Sequence, residues 1–232
     1  MLQLRLARHD QAESLLLQAR GIMERAFGPE HPDVASMLAG LGAVYTATGR
    51  YAEAEPLLKR SLQICEQSFG DRHLDVAGSL TYLGRLRYAE QHFDDAERFF
   101  QRALEIAERA VGPDSLDAAY RLSDLADAVL KKGQFEKAES LIGRSVMLLE
   151  RALGPDNPSI AQAIGKLALI KDNLGKYAEA EMLYRRALGL QQSVLDPDHQ
   201  EMERILAGLS EVLRQQGKNQ EAEALTHHDG TQ

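Results

Sequence analysis

The sequence predicts an all-α fold, a solenoid of antiparallel helix pairs. Three observations predict it. A motif returns every 42 residues, apolar residues fall at helical spacing twice within each period, and glycine or proline marks the joints. The period is clearest in GPEHPDV at Gly28, which returns as GDRHLDV at Gly70, GPDSLDA at Gly112, GPDNPSI at Gly154 and DPDHQEM at Asp196. The second half keeps the same beat. Tyr51-Ala-Glu-Ala-Glu recurs from Phe93, Phe135, Tyr177 and Asn219, and a divergent copy starts at His9. Each unit of such an array packs only on its neighbours, so residues 1–226 are expected to form a single array. It comprises a partial first repeat over 1–27 and repeats beginning near 28, 70, 112, 154 and 196.

The first helix of the repeat rests on Val34, Leu38, Leu41 and Tyr45, spaced at one helical turn each. Its leucine recurs as Leu83, Leu125, Leu167 and Leu209. Gly49, Gly133, Gly175 and Gly217 end this helix, where a left-handed residue is needed, with Gln91 as the exception. The second helix runs from about Tyr51 to Phe69 on Ala54, Leu57, Leu58, Ser61, Leu62 and Cys65. The three-residue joint between them forces an antiparallel pair. Pro32 and Pro158 suit a first helical position, Ser115 and Asn157 suit N-caps, and Asp33, Asp75, Asp117 and Glu201 favour the helix dipole. The same dipole argument accounts for the row Glu13, Glu55, Glu97, Glu139, Glu181 and Glu223. In order along the chain, Met1–Arg8 is expected to be the end of a first helix and residues 10–27 an unpaired second helix. The last pair spans Gln200–Gln216 and Gln220–Thr226, and 227–232 is expected to be disordered. Neither end has a polar cap, which suggests a fragment of a longer chain or ends that stack on something.

Composition excludes several function classes. A net charge of −8 argues against nucleic acid or an anionic membrane as partner. No apolar run reaches membrane-spanning length, and the first residues lack a signal-peptide core. Cys65 is the only cysteine, so no internal disulfide forms. Its repeat equivalents Met23, Ala107 and Leu149 mark a packed structural position, and a cytoplasmic location is expected. His31, His73 and His199 share one repeat position, too far apart to hold one ion, so no metal and no cofactor is expected. Gly40-x-Gly42 lies inside a helix and is no dinucleotide fingerprint. The chain carries no phosphate loop or nucleophile elbow, so it is not expected to be an enzyme.

The set Leu38, Leu41, Gly42 and Tyr45, followed by Ala54 and Leu58, resembles the tetratricopeptide repeat. The period of 42 and the GPxHPDVA-like link resemble its kinesin light chain subtype. The resemblance implies a right-handed superhelix whose concave face holds peptides. It also implies a scaffold or sensor arm. One departure stands out. The asparagine pair typical of kinesin light chains is replaced by Ala39-Gly40, Thr81-Tyr82, Ser123-Asp124, Gly165-Lys166 and Ala207-Gly208. The polar clamp to a peptide backbone is therefore expected to be missing, and with both charge signs on the open face the ligand is expected to be mixed in character rather than purely acidic.

On a helical wheel the first helix leaves an open arc at positions 36, 39, 40, 43, 46 and 47 and their repeats. The arc is bland in the first full repeat. In the next two it carries Tyr82, Arg85, Tyr88, Tyr120, Asp124 and Asp127, and beyond these Lys166, Asn173 and Arg204. Tyrosines beside both charge signs have the composition of a binding hot spot. The alternative is that these tyrosines pack on the next helix. Two functions follow. One is a scaffold for a protein or peptide ligand on the concave face. The other is a module that self-associates through its ends.

Overall fold

The computed structural model describes residues 2–192 and 199–227. These form eleven α-helices and one 3-10 turn, with no strand among the described residues. Two compact units divide the chain, residues 1–128 and 129–232. The first contains α1 (Leu2–Phe27), α2 (Pro32–Ala47), α3 (Tyr51–Phe69), α4 (Leu74–Ala89), α5 (Phe93–Val111) and most of α6 (Leu116–Lys131). The second contains α7 (Phe135–Leu153), a 3-10 turn at Pro158–Ile160, α8 (Ala161–Asn173), α9 (Tyr177–Gln192), α10 (His199–Gln215) and α11 (Asn219–His227). In the first unit α1 packs on α2, α2 on α3, α3 on α4 and α4 on α5. In the second α7 packs on α8, α8 on α9, α9 on α10 and α10 on α11. Alternate helices meet as well, α2 on α4 and α8 on α10. No described helix is long and apolar enough to cross a membrane.

The helix joints follow from local chemistry, with four differences from the sequence reading. Gly49 adopts φ 78°, and Gln91, where the glycine is missing, is still held at φ 64°. His31 and His73 cap α2 and α4. Each imidazole Nδ1 accepts from the backbone N–H two residues on, at 3.2 and 3.3 Å, while Phe27 and Phe69 stack on the rings. Pro158 opens a 3-10 turn rather than α8 itself, a frequent form at helix N-termini. The expected break after Arg8 is absent, because α1 runs unbroken from Leu2 to Phe27. The repeat equivalent of Gly49 is there Ala7, the best helix former, so nothing ends the helix. The link at Asp196 and the tail 228–232 lie outside the described residues, and His227 belongs to α11.

The core is a column of small and branched side chains. Val34, Leu38, Leu41, Val76, Leu80, Leu83, Leu122 and Leu125 are all at most 2% exposed. The glutamate row serves a different purpose from the expected one. Glu55 is the fifth residue of α3, past the turn where the dipole acts. Each of four described glutamates instead takes a cation from the following repeat. Glu13 holds Arg50 at 2.7 Å, Glu55 holds Arg87, Glu139 holds Lys176 at 3.0 Å, and Glu181 holds Lys218 at 2.7 Å. Tyr45 also donates to Glu13 at 2.8 Å. These hydrogen bonds hold the carboxyls below their ordinary value of 4.5, chiefly through Arg50 for Glu13, Lys59 then Arg87 for Glu55, Lys171 for Glu139 and Lys218 for Glu181.

A depressed folded pKa gives stability that is complete above about pH 4.5 and lost as pH falls through the folded value. The urea midpoint should therefore drop between neutral pH and about pH 3, and high salt at neutral pH should lower it as well. A midpoint insensitive to both would show that these pairs tie nothing together.

Candidate functional site

In the unit of residues 1–128, α2 and α4 do not close on each other along their full length. An open groove of about 460 Å³ runs between them. Its floor is thin because α2 presents Ala35, Ala39 and Gly40 there and α4 presents Gly78 and Ser79. Beneath lie Ser61 and Cys65 of α3. Ser61 donates to the Ala35 carbonyl at 2.9 Å and lies 3.2 Å from Ser79, whose hydroxyl donates to Cys65 Sγ at 3.5 Å. Cys65 is 5% exposed, and burial raises its thiol pKa. It is thus a packed thiol under the groove.

Tyr82 of α4 walls the groove on one side, and Asp117 and Arg121 of α6 close one end. Arg121 is largely buried, its Nε has no partner, and its nearest carboxylate contact is Asp117 at 4.0 Å. Burial pulls its pKa down, against the pull of Asp124 and Asp117. An arginine held this way carries charge into the groove with little water around it. Such a charge attracts an acceptor more strongly than a solvated one.

The residues expected at a site are spread over several environments. Tyr82 lines the groove, and part of its ring rests on the cluster around Tyr45, Leu58 and Leu83. Tyr88 makes an edge contact with Phe93, centroids 5.5 Å apart, so it is held by the neighbouring helix. Tyr120 is 48% exposed. Arg85 and Asp124, expected to hold opposite charges of a ligand, hold each other: the guanidinium donates to both carboxylate oxygens at 3.0 and 3.2 Å. Asp127 is half-buried on α6. In the other unit Lys166 is buried, Asn173 donates to the Leu169 carbonyl at 2.7 Å, and Arg204 pairs with Glu201 at 2.8 Å.

Sequence reasoning missed Arg121 and the layer under the groove. A signal was present. The repeat equivalents of Arg121 are Met37, Ser79, Ala163 and Ile205, so one charge stands in a column otherwise without any. Among the described residues, no group of three or more His, Cys, Asp or Glu side chains could hold a metal ion.

Helix pairs joined by short turns, tied to the next pair by repeated contacts, define an α-solenoid. The chain belongs to the tetratricopeptide repeat family, whose model matches residues 1–67, 33–109, 75–151, 116–188 and 159–225. Its fold is that of the kinesin light chain-like subtype. The structure resembles BtubC (BKLC) from P. vanneervenii with a TM-score of 0.77 at 19% identity, covering 100% of this chain and 94% of that one. It also resembles the nearly identical TPR-like repeats of a kinesin light chain-type protein from Podosopora anserina, with a TM-score of 0.70 at 22% identity. That match covers 85% of this chain and 93% of the other, and a substituted form of the same repeats gives 0.71. No curated protein matches the sequence.

Proposed function

We propose that the chain is a non-catalytic scaffold that takes a segment of a partner protein along the face built by the first helices of its pairs. The groove between α2 and α4 carries this reading. Its small floor lets a backbone approach closely, Tyr82 supplies contact area at little entropic cost, and Arg121 offers a charge for an acceptor on the ligand. The family's general use as a protein-interaction module supports it. The ligand is then mixed in character, with an apolar anchor beside charges, and the compartment is the cytoplasm.

A pull-down with the full chain, followed by titration of the captured partner, tests this. Tyr82→Ala should weaken binding by about 2 kcal/mol, roughly 30-fold. Thr46→Ala should leave it unchanged, since the Thr46 hydroxyl is spent on the Gly42 carbonyl. Equal binding by both variants would move the site off this face. The second reading, self-association through the ends, is favoured by Leu15 and Ile22, which stand 66% and 54% exposed on α1. It predicts a mass that grows with concentration in sedimentation.

A further inference from the structure

A second cavity lies within the unit of residues 129–232. It measures about 260 Å³ and opens between α8 and α10, with α9 beneath. Gly165 and Leu169 come from α8, Arg204, Ile205 and Gly208 from α10, and Tyr184 from α9. Tyr184 is 3% exposed, yet among the described residues none hydrogen-bonds its hydroxyl. A buried phenol O–H ordinarily finds a partner.

Gly208 leaves that hydroxyl its place. A Cβ at 208 would stand 2.4 Å from Tyr184 Cζ and 2.5 Å from its oxygen. Position 184 carries Leu16, Leu58, Phe100, Ile142 and Thr226 in the other repeats, so this copy alone places a phenol there. The surroundings are mixed in charge. Glu201, 5% exposed, holds Arg204 at 2.8 Å. Burial first, then the nearby Asp172, raises the phenol pKa above its ordinary value, so the hydroxyl remains a donor at working pH.

We infer that this cavity takes the side-chain amide of a glutamine on a partner polypeptide. The methylene stem fits between Leu169 and Ile205. The amide carbonyl accepts from Tyr184, and the amide N–H groups turn toward the carboxylate of Glu201, which lines the cavity. A glutamate of the same length has no N–H to offer Glu201 and would set a second carboxylate beside it, where Arg204 is already paired. A lysine would leave its charge against aliphatic walls and next to Arg204. The inference rests on the protein-interaction reading only in assigning the occupant to a polypeptide.

The test titrates N-acetyl-glutamine methylamide into the full chain, with tyrosine rings and isoleucine methyls labelled for NMR. The Tyr184 ring and Ile205 methyl signals should shift saturably. The glutamate and lysine counterparts should bind at least about 5-fold more weakly, and Tyr184→Phe, read at Ile205, should weaken the glutamine probe about 5-fold. Gly208→Ala should abolish the shift by displacing the ring. The inference is overturned by no saturable shift, by a charged counterpart binding as tightly, or by Tyr184→Phe binding as well as the parent. The readout is local to Tyr184 and Ile205 and uses no captured partner, so its failure and a failure of the Tyr82 test are distinguishable.

Discussion

Replacing Phe100 by alanine should cost about 3–5 kcal/mol, seen as a large fall in the urea midpoint of the helical circular dichroism signal. Phe100 is 2% exposed on α5 and is the bulkiest of the fully buried side chains described. Its ring lies against the α4 backbone at Gly84, where a Cβ would stand 2.5 Å from its edge. Ala96, Ala103 and Leu104, one turn away from it on α5, are themselves buried, so the backbone has little freedom to collapse into the space left. Domain stabilities are about 5–15 kcal/mol, so this one change removes a large share. In an array stabilised by neighbour contacts, loss of the α4–α5 interface also weakens the helices on either side. A cost below about 1 kcal/mol would mean that the ring does not fill this joint.

Most of the fold was legible because its determinants are local. Leu41, Gly49 and Tyr51 recur on one period, and each states its role within a few residues of itself. What was not legible depends on a partner one repeat away. Glu55 was assigned to the helix dipole, whereas its partner Arg87 sits 32 residues on, in the following repeat. Tyr88 falls on the open arc of a single-helix wheel, and only the path of α5 brings Phe93 to its edge. Arg85 and Asp124 carry opposite signs at neighbouring repeats, 39 positions apart, yet the wheel drew each facing a ligand. Tyr82 shows the converse. The wheel placed it on the exposed arc, and it does line the groove, because the residues opposite it are too small to cover it. The histidine caps were missed for a chemical reason. Serine, threonine, aspartate and asparagine dominate N-caps, and imidazole serves only in the tautomer that leaves Nδ1 as an acceptor.

Glycines inside helices show the same limit, and they give the second large effect. Gly84 in α4 and Gly143 in α7 look alike in the sequence, each an interior helical glycine whose replacement by alanine should gain about 1 kcal/mol of helix propensity. The packing separates them. A Cβ at Gly143 meets nothing within 4 Å, so Gly143→Ala should stabilise by about that amount. At Gly84 the methyl would stand 2.5 and 2.7 Å from two Phe100 ring carbons, closer than any real contact, and a ring held on all sides yields only by forcing its helix outward. Such overpacking costs about 1–3 kcal/mol, enough to reverse the propensity gain, so Gly84→Ala should destabilise. Combining Gly84→Ala with Phe100→Ala settles the cause. With the ring gone, the new methyl fills part of the cavity, and Gly84→Ala should become stabilising in that background, a coupling of the sign expected for side chains in contact. If Gly84→Ala costs the same in both backgrounds, the penalty comes from the α4 backbone and the close approach of α4 to α5 is not what fixes glycine there.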